Sequence, residues 1–109
     1  MKILGLLLIA CVVFSCNVGI DKDTPTCIKK EIRKFKKGTS CEDANVSEYI
    51  FQGKTVFVFE PGTCGADMSA DVYDNKCNYL GYLGGIAGNT QINDEEFSSS
   101  TFVKTIWNK

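Results

Sequence analysis

The chain has 109 residues, with 12 Lys+Arg against 13 Asp+Glu and a formal charge of −1. That balance excludes an electrostatic nucleic-acid binder, which needs a clear basic excess, so no nucleic acid is expected among the partners. Histidine is absent, which removes the commonest acid–base group near neutral pH and the commonest metal ligand, and the length allows one domain.

Met1-Lys2 is a minimal basic start, and Ile3 to Phe14 is then almost wholly apolar. A basic start, a short apolar stretch and a small residue before a cleavage point are the marks of a secretory signal, predicted here over residues 1–15 with Ser15 as the small residue. Val13-Phe14-Ser15-Cys16 resembles a bacterial lipobox. In such signals the cysteine becomes the new N-terminus and carries acyl chains, which makes Cys16 the candidate lipidation site. Two or three chains hold a protein on a bilayer far more firmly than one. Leu8-Ile9-Ala10-Cys11 also fits the motif's residue types, but it would shorten the apolar stretch and leave Val12 to Phe14 exposed. An ordinary signal cut near Ser15 or Gly19, with Cys16 incidental, is the alternative. An apolar segment this short makes a poor membrane span. On each of these readings the folded part is exported, and the lipobox places it on a membrane of the bacterial cell envelope, at the outer membrane or the periplasmic face.

Residues 16–23 then read as the lipidated cysteine and a polar tether, Asn17 to Asp23, reaching at most about 25 Å. Residues 24–109 read as a single small domain. Its four cysteines, Cys27, Cys41, Cys64 and Cys77, are an even number in a small exported domain, which reads as two disulfides. Three pairings are possible, and spacing does not choose among them. The sequence has no C-x-x-C and no histidine, which argues against a zinc site and against a thioredoxin-like redox motif. A domain this size is marginal by burial alone, so cross-links matter to it.

Thr24 is a good N-cap and Pro25 suits the first helical position. Ile28, Ile32 and Phe35 fall at i, i+4 and i+7, giving one apolar stripe, and Gly38 supplies a stop. The opposite face carries Lys29, Lys30, Arg33, Lys34, Lys36 and Lys37. Asn45 to Glu60 predicts a β-hairpin, rich in strand formers on both arms. Gly53-Lys54 as a two-residue type II′ loop would set Phe51 opposite Val56, Ile50 opposite Phe57 and Tyr49 opposite Val58. Both faces of the hairpin are largely apolar, so one should meet the helix and the other should lie under loops. Pro61 to Ala66 is a loop holding Cys64. Ala70 to Tyr73 and Cys77 to Leu83 read as two further strands about an Asp74-Asn75-Lys76 turn, followed by a glycine-rich loop at Gly81, Gly84, Gly85 and Gly88. Asn93 to Ser99 suggests a short helix capped by Asn93 or Asp94. Thr101 to Trp107 alternates loosely, with Phe102, Ile106 and Trp107 expected to close the core.

The fold class expected is therefore α+β: an N-terminal amphipathic helix packed on a small antiparallel β-meander, braced by disulfides. The string Cys27-Ile28, Glu48-Tyr49 with Phe51 and Gly53, Val56-Phe57, Cys64, Tyr73-Asp74, Cys77-Asn78, Gly84-Gly85-Ile86 with Gly88, and Ile106-Trp107 resembles a family of small exported lipoproteins of unknown function found mainly in Bacteroidota. The resemblance spans nearly the whole mature chain, and Cys41 stands outside it. It implies an exported α+β domain and brings no activity with it.

Catalytic machinery is not legible. Ser98, Ser99 and Ser100 have no activating base nearby in the pattern, and a glycosidase-type carboxylate pair needs a cleft for which the chain has little room. Asp67, Asp71 and Asp74 gather near two cysteines, but not at the alternate spacing of a calcium loop, so turn and surface roles are expected and no metal. The glycine-rich loop lacks the Lys-Ser/Thr of a phosphate cradle. No cofactor is expected. The basic helix face could meet anionic headgroups near an anchor, at about 1 kcal/mol per residue on an anionic surface; a merely solvated face is the alternative. The function expected is non-catalytic binding of an envelope protein or polymer, with the membrane engaged through N-terminal acyl chains. A small metal-dependent or hydrolytic enzyme, and a secreted cysteine-rich inhibitor-like protein without lipid, are the alternatives.

Overall fold

The structure is a computed structural model and describes residues 19–109. The leader, Cys11 and Cys16 lie outside the described residues.

A helix, α1 (Thr26–Gly38), precedes seven strands: β1 (Asn45–Phe51), β2 (Lys54–Glu60), β3 (Ser69–Asp74), β4 (Tyr79–Gly84), β5 (Gln91–Ile92), β6 (Glu95–Glu96) and β7 (Thr101–Asn108). Five strands form one antiparallel sheet in the order β4-β3-β2-β1-β7, and β5 and β6 make a separate two-stranded ribbon. The fold is thus α+β and disulfide-braced, as expected. The sheet is not a plain meander: the last strand returns across the sheet to pair with β1.

Ile28 and Ile32 on α1 are fully buried and meet Val46, Phe57, Phe59, Ile106 and Trp107 from one face of the sheet. Phe51, Val56, Val58, Val72 and Ile92 fill a second core on the other face, beneath the β5–β6 ribbon and the 3-10 turn Phe97–Ser99. The two apolar faces of the hairpin are thereby both covered. Phe97 reaches back to Phe51 and Tyr49, with ring centroids 5.0 and 5.2 Å away.

Several local expectations are corrected. Thr24 does not cap α1. Pro25 holds the N-cap position without a side-chain bond, and its carbonyl accepts from Lys29 N at 2.9 Å. Thr24 is buried instead, and its Oγ1 has no hydrogen-bond partner among the described residues. The hairpin loop is Gln52-Gly53, with φ of 52° and 74°, so two left-handed residues make a type I′ turn in place of type II′. The register becomes Phe51 opposite Lys54, Ile50 opposite Thr55 and Tyr49 opposite Val56. Moving the turn by one residue slides each pairing by two, so the inward and outward faces keep their identity. Asn93 and Asp94 also take left-handed conformations, φ 50° and 63°, and turn the β5–β6 ribbon where a helix was expected. Only Phe97–Ser99 is helical there, as one 3-10 turn.

β7 carries two bulges against β1: Val46 faces Trp107 while Ser47 faces Thr105, and Glu48 faces Lys104 while Tyr49 faces Phe102. The first bulge lets the neighbours Ile106 and Trp107 both enter the core under α1. Phe102, expected in the core, is 55% exposed and leans on Tyr49 at 5.5 Å.

Residues 19–23, read from sequence as part of a polar tether, are built into the domain. Ile20 is buried in the same core as Trp107. Asp21 N donates to Ile106 O at 2.9 Å, and the Asp21 carboxylate pairs with Lys104.

Candidate functional site

Strand parity places a carboxylate among rings at the β3–β4 side of the sheet. Asp71 on β3 lies directly across from Phe59 on β2 and from Tyr82 on β4. One pair further along, Tyr73 stands between Phe57 and Tyr79. These side chains share the face of the sheet that α1 covers, because Phe57 and Phe59 belong to the core under the helix. α1 does not reach over the β3–β4 margin completely. A groove of about 210 Å³ remains there, lined by Glu31, Lys34 and Phe35 from the helix and by Phe59, Asp71 and Tyr73 from the sheet.

The rings are contiguous. Phe35 meets Phe59 edge-on at 5.4 Å, Phe59 meets Tyr73 at 5.2 Å, and Tyr73 meets Tyr79 at 5.6 Å. Such edge-to-face contacts fix ring orientation as well as burying area. Tyr79 and Tyr82 are 55% and 42% exposed, so the ladder ends in solvent.

Glu31 and Asp71 bring two carboxylates to the groove against one ammonium, Lys34. Burial raises the Asp71 pKa above the ordinary carboxylate value, and the Tyr79 hydroxyl only partly offsets it. The Tyr73 hydroxyl is pushed up first by burial and then by the charges of Asp71 and Glu31. Tyr79 is raised by burial and by Asp71. Lys34 lines the groove, but its ammonium lies 3.4 Å from Glu31 Oε1.

The residues singled out from sequence fall in several places. Cys27 pairs with Cys77, and Cys41 pairs with Cys64. The first bond ties the start of α1 to the β3–β4 turn. The second ties the segment before β1 to the loop after β2. Asp74 is a turn residue: its carboxylate accepts from Lys76 N, Asn78 N and Asn78 Nδ2, and these bonds hold it below the ordinary value against its desolvation. Asp67 sits exposed in a left-handed loop conformation. Asp71 and Asp74 are three apart on a strand and so face opposite sides of the sheet, which leaves no common site for the trio. No group of three or more candidate metal ligands occurs among the described residues.

The glycines make close approaches. A Cβ at Gly81 would lie 3.1 Å from Ile92 Cδ1, so its absence lets the ribbon seat on β4. Ser99 Oγ donates to Glu95 and to the Glu96 carbonyl, which spends that hydroxyl on the ribbon. On α1, Lys30, Lys34, Lys36 and Lys37 are exposed, while Lys29 and Arg33 are half-buried. Lys29 Nζ donates to the Lys22 carbonyl at 3.1 Å.

The aromatic groove is what the sequence reading missed. Its signal was available in the run Asp71, Tyr73, Tyr79 and Tyr82, but it needed the β3–β4 register, which a bulge between Val72 and Tyr73 alters.

Among the described residues no helix is long and apolar enough to cross a membrane. The sequence model of one family, described as Domain of unknown function (DUF6970), matches residues 32–109. The match takes in the second half of α1 and all of the strands. No curated protein and no solved structure matches the chain.

Proposed function

This chain belongs to the DUF6970 family, and we propose that it is an exported lipoprotein, of a type resembling those of Bacteroidota, whose folded domain is a non-catalytic binding module on the bacterial envelope. The observation that carries this reading is the pair of disulfides, Cys27–Cys77 and Cys41–Cys64. Paired thiols persist in oxidising compartments and are rare in a reducing cytosol. An apolar leader ending at Val13-Phe14-Ser15-Cys16 supplies the route out.

The groove supports binding over catalysis. It offers two carboxylates, Asp71 and Glu31, rings and a lysine already engaged by Glu31, without a nucleophile beside a base. The docking of Ile20 and Asp21 leaves only Asn17 and Val18 between a lipidated Cys16 and the folded domain. The domain then stands against the bilayer, not on a long stalk, with the exposed lysines of α1 available to anionic headgroups.

The test is the mass of the mature protein. An N-terminal Cys16 carrying acyl chains, with the other four cysteines oxidised, is the expected result. A full-length chain starting at Met1 with reduced thiols would overturn the proposal.

A further inference from the structure

The margin between α1 and the β3–β4 pair combines three features that suit one kind of ligand. The floor is a stack of rings, Phe35, Phe59 and Tyr73. Two carboxylates line it: Glu31, which engages Lys34 at 3.4 Å, and Asp71, which is half-buried beside the rings. Glu31 and Asp71 set two carboxylates against the one lining ammonium, Lys34, so the local charge favours a cation and gives a negative potential.

An anion is disfavoured by that potential. A purely apolar ligand would leave Asp71 further desolvated without compensation. A cation on an aliphatic stem satisfies all three features: the stem lies along the rings, and the charge meets the Asp71 carboxylate and an aromatic face. A guanidinium would want both carboxylate oxygens in its plane, and the Tyr79 hydroxyl already competes for them. An ammonium needs only one oxygen and a ring.

We propose that this groove receives the alkylammonium end of a lysine side chain presented by the partner, with the ammonium held between Asp71 and the Tyr73 ring and the stem over Phe59 and Phe35. This rests on the binding-module reading above. The volume of about 210 Å³ accommodates one side chain and not a folded surface, so Asp71 is the specificity-determining residue of a wider contact.

The experiment is an NMR titration of the full mature chain in detergent micelles with N-acetyl-lysine methylamide, alongside its neutral counterpart N-acetyl-norleucine methylamide. Millimolar binding of the lysine compound is expected, with shifts at Asp71, Tyr73 and Phe59, and at least roughly tenfold weaker binding of the norleucine compound. Asp71→Asn should reduce lysine binding by a similar factor and leave the weak norleucine binding unchanged. Bound ligand should also lower the Asp71 pKa, a change that a merely structural role would not produce. Equal affinity for the two compounds, or lysine binding that survives Asp71→Asn, would overturn the inference. Cross-linking in the envelope separates the two levels. A partner captured equally by parent and Asp71→Asn sinks the lysine pocket and leaves the binding module standing. Lysine binding without any envelope partner supports the pocket and sinks the module.

Discussion

Ile106 and Trp107 are neighbours in sequence and neighbours in the core, both packed beneath α1. A regular strand would send one of them to each face. The bulge opposite Val46 and Ser47 turns them to the same side. Ile106→Ala should therefore cost about 2–5 kcal/mol, whereas Phe102→Ala should cost less than about 1 kcal/mol, since Phe102 keeps more than half its surface in water. Urea unfolding of the two variants checks the order, and a larger loss at Phe102 would contradict the bulged register.

Thr24 carries a buried hydroxyl with no partner among the described residues. Valine has nearly the same shape and no polar atom to desolvate. Thr24→Val should stabilise the domain by about 1 kcal/mol, read as a raised denaturation midpoint with an unchanged slope. Destabilisation would show that the hydroxyl is satisfied in solution.

The two disulfides close loops of different size, with sequence separations of 50 for Cys27–Cys77 and 23 for Cys41–Cys64. On the chain-entropy account, loss of the longer closure costs roughly 4 kcal/mol and of the shorter roughly 3 kcal/mol. Paired Cys→Ser replacements, compared by thermal unfolding, should rank in that order.

Asp43 fastens the loop that holds Cys64. Its carboxylate accepts from Thr63 N at 3.1 Å and from Thr63 Oγ1 at 2.6 Å, and those bonds depress its pKa below 3.8. A depressed folded-state value means the stabilisation is fully present above the unfolded value of 3.8 and disappears as pH falls through the lower folded one. Asp43→Asn should thus be less stable than the parent at neutral pH, and the two stability curves should converge in acid.

Asp71 has the opposite sign. Its folded-state pKa is raised by burial, so the folded protein prefers the protonated form, and stability falls as pH rises from 3.8 through the raised value. Asp71→Asn should remove that decline and be the more stable protein at neutral pH. A parent and variant with parallel pH profiles would show that Asp71 is solvated.

Gly62 sits at φ 106°, and a Cβ there would overlap the Asp43 carboxylate and Cys41 Cβ. Gly62→Ala should cost at least about 2 kcal/mol and loosen the Cys41–Cys64 closure, seen as faster reduction by a thiol reagent.

The periodic parts of the fold were legible in the sequence. Ile28, Ile32 and Phe35 mark the helix, and the two apolar arms about Gly53 mark the hairpin, because both patterns express burial directly. Turn chemistry was less legible. Gln52, Asn93 and Asp94 all adopt left-handed conformations, and asparagine and aspartate are common enough at helix starts that Asn93-Asp94 reads either way. Thr24-Pro25 has the composition of a cap, yet packing of Thr24 against the core prevails over capping. The candidate groove was hidden for a topological reason. Phe35, Phe59, Asp71 and Tyr73 come from three elements, and no local spacing announces that they share a margin. Ile20 was obscured by its neighbours, since one apolar residue in a short polar stretch has no period to reveal it.

The fastening of residues 19–21 along β7 has a mechanical consequence. A pull on the amino end first loads the Asp21 contacts to Ile106 and Lys104, which can peel one at a time. Six residues later the strain reaches Cys27, where a covalent bolt carries it to Cys77 at the β3–β4 turn. The helix and the central hairpin lie inside that closed loop, so tension between the two ends of the chain bypasses them. Only the short lead-in and the stretch after Cys77 can be drawn out while the bolt holds.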